Sequence, residues 1–434
     1  MEGKRTTVVA ALLLTIALVW AGGQLGGLKD RVADLEEQVA QLGSVPAVSV
    51  GEEEQTFDRD ALTIPVVYIT ADSLTDWEDK SDVRQAELTY TVGGVTEFTR
   101  AITIRPQGSS SMAYDKKNFT IVLQDGAVQL NESWGEQSKF CLKANYIDPT
   151  HAGNVVSAKL AGEMNRAYGV LDAAPNNGSV DGFPCWVVLN GEDAGLYCWN
   201  IPTEAWMFGM DKENPDHIVL CGETWSEASQ FCTDTYTDED WSVEVGPEDE
   251  ATREKFLRLM DFIVNTDDET FVADFDQYLD FDACLNYYCY MCVSSASDNE
   301  GKNMLMVTYD GQVWAPALYD LDSLWGIEWD GLGLCMDAPA YLPYSGNGLF
   351  ARIRTCFEAE LFARYAELRQ GVLSEEHIWK TFEDYMAAIP AECYERDTAM
   401  WNADGRMIRT LDLMKLCVAE YLPWVDAAME YTPE

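Results

Sequence analysis

Histidine is scarce in this chain, and cations are heavily outnumbered. Among 434 residues there are only three histidines, His151, His217 and His377, far apart in sequence. A multi-histidine metal centre or a Ser-His-Asp hydrolase has little to build on here. The 74 acidic side chains face 29 basic ones, a formal net charge of −45. No basic run relieves that field, which excludes nucleic acid as a partner. There is no internal repeat and no second CxxC to complete a zinc site. The acidic stretch "TDTYTDEDWSVEVGPEDE" lacks the spacing and glycine of a calcium loop and reads as a surface loop. What is present is the apolar share of a packed globular chain, 47%, on a length that allows a substantial core.

The amino end has the pattern of a targeting segment. Lys4 and Arg5 precede an uncharged apolar run through residues 6–27, long enough to cross a bilayer once as a helix. The basic flank keeps residues 1–5 in the cytoplasm and sends the bulk of the chain outside. A signal peptide cleaved near Val19-Trp20-Ala21, with the rest secreted, is the alternative. Leu28, Val32, Leu35, Val39 and Leu42 then form an a/d seam of about two heptads, a short coiled coil over 28–42 through which copies would self-associate. Residues 43–60 read as a linker, and strand-like alternation starts at "LTIPVVYIT".

Twelve cysteines outside the membrane would favour some disulfides. In "CWVVLNGEDAGLYC" a four-residue loop, Asn190 to Asp193, would set Cys185 opposite Cys198, either as a cross-strand bridge or as two buried thiols. Cys284, Cys289 and Cys292 lie in an apolar helical run and read as packing residues.

The chemistry is concentrated in "SDNEGKNMLMVTYDGQVWAPALYDLDSLWG", residues 297–326. A helix ends near Ser295 and a polar loop follows, with Asp298 and Asn303 separated by four residues. A strand, an Asp310-Gly311 turn and a second strand then deliver Asp320, with Asp322 two residues on. Protein kinases assemble their centre in this order: the loop Asp handles the acceptor hydroxyl proton, while Asn and the last Asp hold magnesium on the phosphates. Upstream, alternation puts Lys117 on the face of Phe119, Ile121 and Leu123, an inward cation for phosphate, with Lys116 on the wetter face. The turn Gly108-Ser109-Ser110-Ser111 offers amide and hydroxyl donors to phosphate. In the helix "NVVSAKLAGEMNRAYG", Glu163 is the ionisable member of the Val156, Leu160, Ala167 stripe and is placed to pair with Lys117. The alternatives are a snorkelling lysine and a glutamate reaching water.

Several segments, "IRPQGSSSMAYDKKNFTIVL", "FCLKANYIDPTHAGNVVSAKLAGEMN", "VVLNGEDAGLYCWNIPTE", "DNEGKNMLMV" and "APALYDLDSLWG", together resemble the CotH-type spore-coat protein kinases over about Val66 to Leu368. The resemblance implies a divergent kinase-like fold and transfer of the ATP gamma-phosphate to Ser or Thr of protein substrates with Mg²⁺ or Mn²⁺. Carried over by position, it implies Asp298 as the loop aspartate, Asn303 and Asp320 as metal ligands, with Asp322 beside them, and Lys117 as the nucleotide lysine. Two departures stand out. Arg105-Pro106-Gln107 replaces the family's usual Arg-Gly-Asn, and Gly153 precedes Asn154 where an Arg-Asn pair is usual, so one cation on the phosphate side is missing.

The expected architecture is α+β and two-lobed in the manner of a protein kinase, behind the membrane helix and coiled coil. A strand-rich first lobe spans about 61–222, an acidic loop 223–250, and a mainly helical second lobe 251–432 of a domain running over 61–434. The expected activity is that of an anchored, extracytoplasmic atypical Ser/Thr kinase. The alternative is a surface adhesin or scaffold that keeps the fold with little or no turnover. A secreted carbohydrate-active protein is a third reading, but nothing fixes two carboxylates at glycosidase separation.

Overall fold

Period-two patterning builds the first half of the ordered chain. Seven strands follow one another: β1 (Val66–Thr70), β2 (Arg84–Val92), β3 (Val95–Gln107), β4 (Asn118–Leu123), β5 (Lys139–Lys143), β6 (Gly182–Leu189) and β7 (Glu192–Asn200). Their inward residues, among them Val67, Ile69, Leu88, Ile102, Ile104, Phe119, Ile121, Phe140 and Leu142, are buried. The strands close into a barrel in the order β1-β2-β3-β4-β5-β7-β6. Closure comes from a parallel pairing of β1 with β6, Val66 facing Trp186 and Ile69 facing Leu189. A closed barrel leaves no strand edge open to another chain.

A second sheet of four strands has the order β11-β10-β8-β9: β8 (Ile218–Gly222), β9 (Trp241–Val245), β10 (Met304–Thr308) and β11 (Trp314–Leu318). Every residue of β8, β10 and β11 is buried, as continuous apolar runs predict for strands covered on both faces.

The helices are α1 (Gly153–Arg166), α2 (Glu250–Asn265), α3 (Asp268–Asp274), α4 (Phe281–Ser294), α5 (Gly348–Cys356), α6 (Glu358–Gln370), α7 (Glu375–Ala387), α8 (Ala391–Trp401) and α9 (Leu411–Ala428). The central one is α4, "FDACLNYYCYMCVS", apolar on all sides and buried from Ala283 to Ser294, as such a helix must be. It starts where Asp280 accepts from the Ala283 amide, a side-chain N-cap. It stops at Ser295, whose φ of 59° is left-handed. Around it pack β11, α1, α6 and α9.

These observations come from a computed structural model that describes residues 57–433, apart from 109, 167–170, 172–173, 175–176, 335–341 and 343–345. The expected stub 1–5, membrane helix 6–27, coiled coil 28–42 and most of the linker 43–60 lie outside the described residues. Among the described residues, no helix is long and apolar enough to cross a membrane.

The two-lobed, kinase-like arrangement is corrected by this topology. From Phe57 onward the chain forms one compact unit rather than dividing near residue 222. The second sheet draws strands from both expected lobes: β8 pairs with β10 (Cys221 facing Leu305), and β9 adds to β8 from inside the stretch read as a loop. The late helices also return to the first half of the domain, α8 onto the barrel strand β7 and α7 onto α1. Local periodicity cannot see such pairings between residues 80 and more apart in sequence.

The β6–β7 hairpin departs from expectation by one register step. Its turn is two residues, Asn190 and Gly191, both at positive φ (50° and 88°), the geometry that suits a tight hairpin. A bulge between Val187 and Val188 then shifts the pairing, so Cys185 faces Tyr197 and Cys198 faces Pro184. Both thiols are free and buried, as are Cys284, Cys289 and Cys292.

Candidate functional site

The polar loop after α4 is held at both ends. Gly222, at the end of β8, accepts from the Asn303 amide at 2.8 Å. A Cβ on Gly222 would strike the Gly301 carbonyl, so this close approach needs glycine. Buried Asn299 donates to the Tyr319 carbonyl at 2.8 Å and to the Asn303 carbonyl at 3.3 Å, stapling the loop to the end of β11. Tyr287 of α4 donates to the Asn299 carbonyl at 2.7 Å. In this frame Asn303 Nδ2 donates to Asp298 Oδ2 at 3.1 Å.

The β10–β11 hairpin, turned at Asp310-Gly311 with Asp310 Oδ1 accepting from the Gln312 and Val313 amides, delivers Asp320 opposite that loop. Asn303, Asp320 and Trp325 all have positive φ, 58°, 53° and 61°. Asn and Asp visit that region readily, whereas a buried Trp there is strained. Trp325 is held in place by its indole, which donates to Ser157 Oγ of α1 at 2.8 Å. Strained backbone concentrated beside a polar loop is common at working sites.

Asp320 lines a narrow recess with Lys143, Gln107, Cys141, Asn154 and Tyr319, where barrel, α1 and second sheet meet. Asn154 Nδ2 reaches Asp320 Oδ1 at 3.5 Å. Burial works against the Lys143 ammonium, yet the Asp320 charge, with Tyr319, Cys141 and Asp322 behind it, lifts its pKa above the ordinary lysine value. The Asp298 carboxyl is raised by burial, opposed by Lys302 and reinforced by Asp320. Asp322 is raised first by burial and then by the Asp320 charge, with Arg409 and Lys143 pulling the other way. Glu300, in the same loop, is pushed up to about 7 by burial. Three mutually repelling carboxylates, of which Asp320 and Asp322 act on the half-buried Lys143, make a strongly acidic centre that Lys143, Lys302 and Arg409 offset in part.

Other expected site residues lie elsewhere. The Lys117 ammonium donates to the Met112 carbonyl at 3.0 Å and to the Tyr114 carbonyl, and so closes the turn rather than facing phosphate. The strand β4 begins only at Asn118, so the alternation does not extend back to the two lysines. It is Lys116 that turns inward, 2% exposed. Its ammonium meets Asp397 at 2.7 Å. The Lys117–Glu163 pair is not formed. Glu163 Oε2 instead lies 2.6 Å from His377 Nε2 of α7. Gly108 (φ 109°) sits in a turn where a Cβ would strike Ser111 Oγ. Ser109 lies outside the described residues, and Ser110 opens the 3-10 turn that follows.

The residue that the sequence reading passed over is Lys143. Its signal was available: a lysine that ends an apolar strand, "KFCLK", shortly before the helix carrying Asn154.

Among the described residues, no group of three or more His, Cys, Asp or Glu side chains is gathered tightly enough to enclose a metal ion. Mg²⁺ does not require one, since it is usually held by one or two carboxylates together with substrate phosphates. The donors at hand are all hard oxygens, from Asp320, Asp322 and Asn303, and their mutual repulsion is what a cation relieves. The chemistry therefore fits a hard divalent ion. An aspartate raised in the folded state favours folding below its unfolded value and loses that contribution as pH rises through the folded one. Asp322→Asn is accordingly expected to stabilise the metal-free protein at pH 7 by about 1 kcal/mol and to remove any Mg²⁺-dependent rise in melting temperature. Thermal melts with and without Mg²⁺ check both.

No curated protein matches the chain. A family model described as CotH kinase protein matches residues 104–415, well over half of the chain, including Lys143, Asp298, Asn303, Asp320 and Asp322. On that match the chain belongs to the CotH kinase protein family.

Proposed function

We propose that the protein is an atypical kinase that transfers the ATP gamma-phosphate to Ser or Thr of a protein substrate, with Mg²⁺ or Mn²⁺. The observation that carries this reading is the convergence of Lys143 from the barrel with Asp320 and Asp322 after β11 and with the Asp298–Asn303 loop. Lys143 is the cation for nucleotide phosphates in place of Lys117. Asp298 is positioned by Asn303 to take the acceptor hydroxyl proton, and its raised pKa moves it toward the range of a working base. Asp320, Asp322 and Asn303 would hold the divalent ion, which when bound neutralises charge on the transferring phosphate. The proposal includes the anchored, extracytoplasmic placement, supported by the Lys4-Arg5 flank and the uncharged run over residues 6–27.

Nucleotide binding by the purified chain is the test. With Mg²⁺, ATP at about a hundred times its dissociation constant stabilises by about 2.7 kcal/mol. That stabilisation is expected to vanish in Lys143→Met and to persist in Lys117→Met. Equal losses in both variants would point to the turn rather than the recess. No stabilisation and no phosphate transfer in the wild type would leave the adhesin or scaffold reading.

A further inference from the structure

Arg409 stands immediately before Thr410, the N-cap of α9, and its side chain is wholly removed from water. A guanidinium carries five N–H donors and no acceptor. Nε, Nη1 and Nη2 of Arg409 all lack a hydrogen-bond partner among the described residues. The nearest acid, Asp148, lies 3.7 Å from Nη1, outside hydrogen-bond reach. That carboxylate is already engaged: Oδ1 accepts from the Thr150 amide at 3.1 Å and its hydroxyl at 2.6 Å, and Oδ2 accepts from the Gly153 amide at 2.7 Å.

The guanidinium is aimed at the amino end of α1. A Cβ on Gly153 would stand 2.8 Å from Arg409 Nη1 and 2.5 Å from Asp148 Oδ2. Glycine at 153 is therefore what admits both the arginine and the Asp148 carboxylate. The amino end of a fourteen-residue helix favours negative charge. One residue on, Asn154 contacts Asp320, and the charge of Arg409 offsets part of the strain on Asp322. A buried, charged and unbonded fork beside a helix amino end, on the flank of an acidic centre, suits a phosphate oxyanion. The planar fork matches phosphate oxygens in a way a lysine cannot.

We propose that Arg409, together with the amino end of α1, binds an oxygen of the terminal phosphate of the nucleotide, a cation brought to the recess from the carboxy-terminal segment. This rests on the ATP reading above. The terminal phosphate is what separates ATP from ADP, so the preference between them reports on Arg409 directly.

The experiment compares thermal stabilisation by Mg·ATP and by Mg·ADP in the wild type, Arg409→Gln, Arg409→Lys and Gly153→Ala. The alanine crowds the guanidinium, and Asp148 Oδ2 with it, without removing either charge, and the lysine variant keeps a cation should the glutamine variant fail to fold. Expected is a loss of about tenfold or more in ATP affinity for Arg409→Gln and Gly153→Ala, the scale of a charge-assisted hydrogen bond. ADP affinity should stay at the wild-type value, with Arg409→Lys between. An unchanged ATP preference in Arg409→Gln and Gly153→Ala overturns the proposal and leaves the kinase reading standing. Equal loss of ATP and ADP overturns it in favour of a packing role. A wild type that binds neither nucleotide overturns both readings at once.

Discussion

Phosphate transfer is expected to fall by at least about a hundredfold in Asp320→Asn and in Asp298→Asn, the usual scale for removing one preorganised electrostatic partner. The amide matters in this choice of variants. Asp320 sits at φ 53°, where Asn is tolerated as well as Asp and Ala is not. The substitution therefore removes charge without adding backbone strain: it takes a charge partner from Lys143 and at the same time relieves the repulsion on Asp322. At 298 the amide oxygen can still accept from Asn303 Nδ2, so the loop keeps its shape. The two variants then separate by mechanism. Asp298→Asn is expected to bind Mg·ATP like the wild type and lose turnover, because only the proton acceptor has gone. Asp320→Asn is expected to lose Mg²⁺-dependent nucleotide stabilisation as well, because a metal oxygen has gone. Radiolabel transfer to a serine-bearing protein, read beside thermal shifts, distinguishes the two; full transfer in either variant would remove that residue from the centre.

The part of the site that was legible in sequence is the part built locally. The end of α4 at Ser294, the β10 and β11 strands and the Asp310-Gly311 turn all come from short-range pattern and turn chemistry, and they fix Asp298, Asn303, Asp320 and Asp322 within one stretch of chain. Lys117 was not legible because its side depends on where β4 begins. A start at Asn118 rather than Lys116 places both lysines in a turn, where alternation has no meaning. The role of Lys143 depends on what β5 and α1 face, which is decided by strands more than 150 residues later, since Asp320 is its main charge partner. The same holds for the barrel. Its β1–β6 seam joins Val66 to Trp186, and the second sheet joins Cys221 to Leu305. No period in a window of ten residues reports such seams. The one-step slip at the Cys185 hairpin has a different cause, a bulge, and bulges answer to what packs against them.

What packs against that bulge is Asp397, and its removal is expected to cost more stability than any other single change proposed above. Gly195 (φ 100°) occupies the bulged stretch of β7, and a Cβ there would collide with Asp397 Oδ1. Through this opening Oδ1 accepts from the Leu196 amide at 2.8 Å and from the Lys116 ammonium at 2.7 Å, while Oδ2 meets His151 Nε2 at 2.9 Å. One carboxylate from α8 thus neutralises a fully buried lysine, satisfies a strand amide and holds the loop that leads into α1. Burial works against its ionised form, yet Lys116 and His151 together hold its pKa well below the ordinary aspartate value. Asp397→Ala leaves the Lys116 charge buried and unpaired, which costs about 3–5 kcal/mol, read as a fall in the denaturation midpoint. The double variant Lys116→Met, Asp397→Leu is expected to recover most of that loss, because no charge remains to be desolvated. The pH dependence has a fixed sign. A carboxyl depressed in the folded state stabilises above its unfolded value, about 3.9, and loses that contribution as pH falls through the folded one. Wild-type stability should therefore decline below about pH 4, and the decline should be shallower in the double variant. Because the loop tied by His151 ends at Gly153, weakening this carboxylate should also loosen the amino end of α1 and lower ATP affinity, although Asp397 is not among the residues that line the recess. An Asp397→Ala protein with an unchanged midpoint would mean that water, rather than this carboxylate, compensates Lys116.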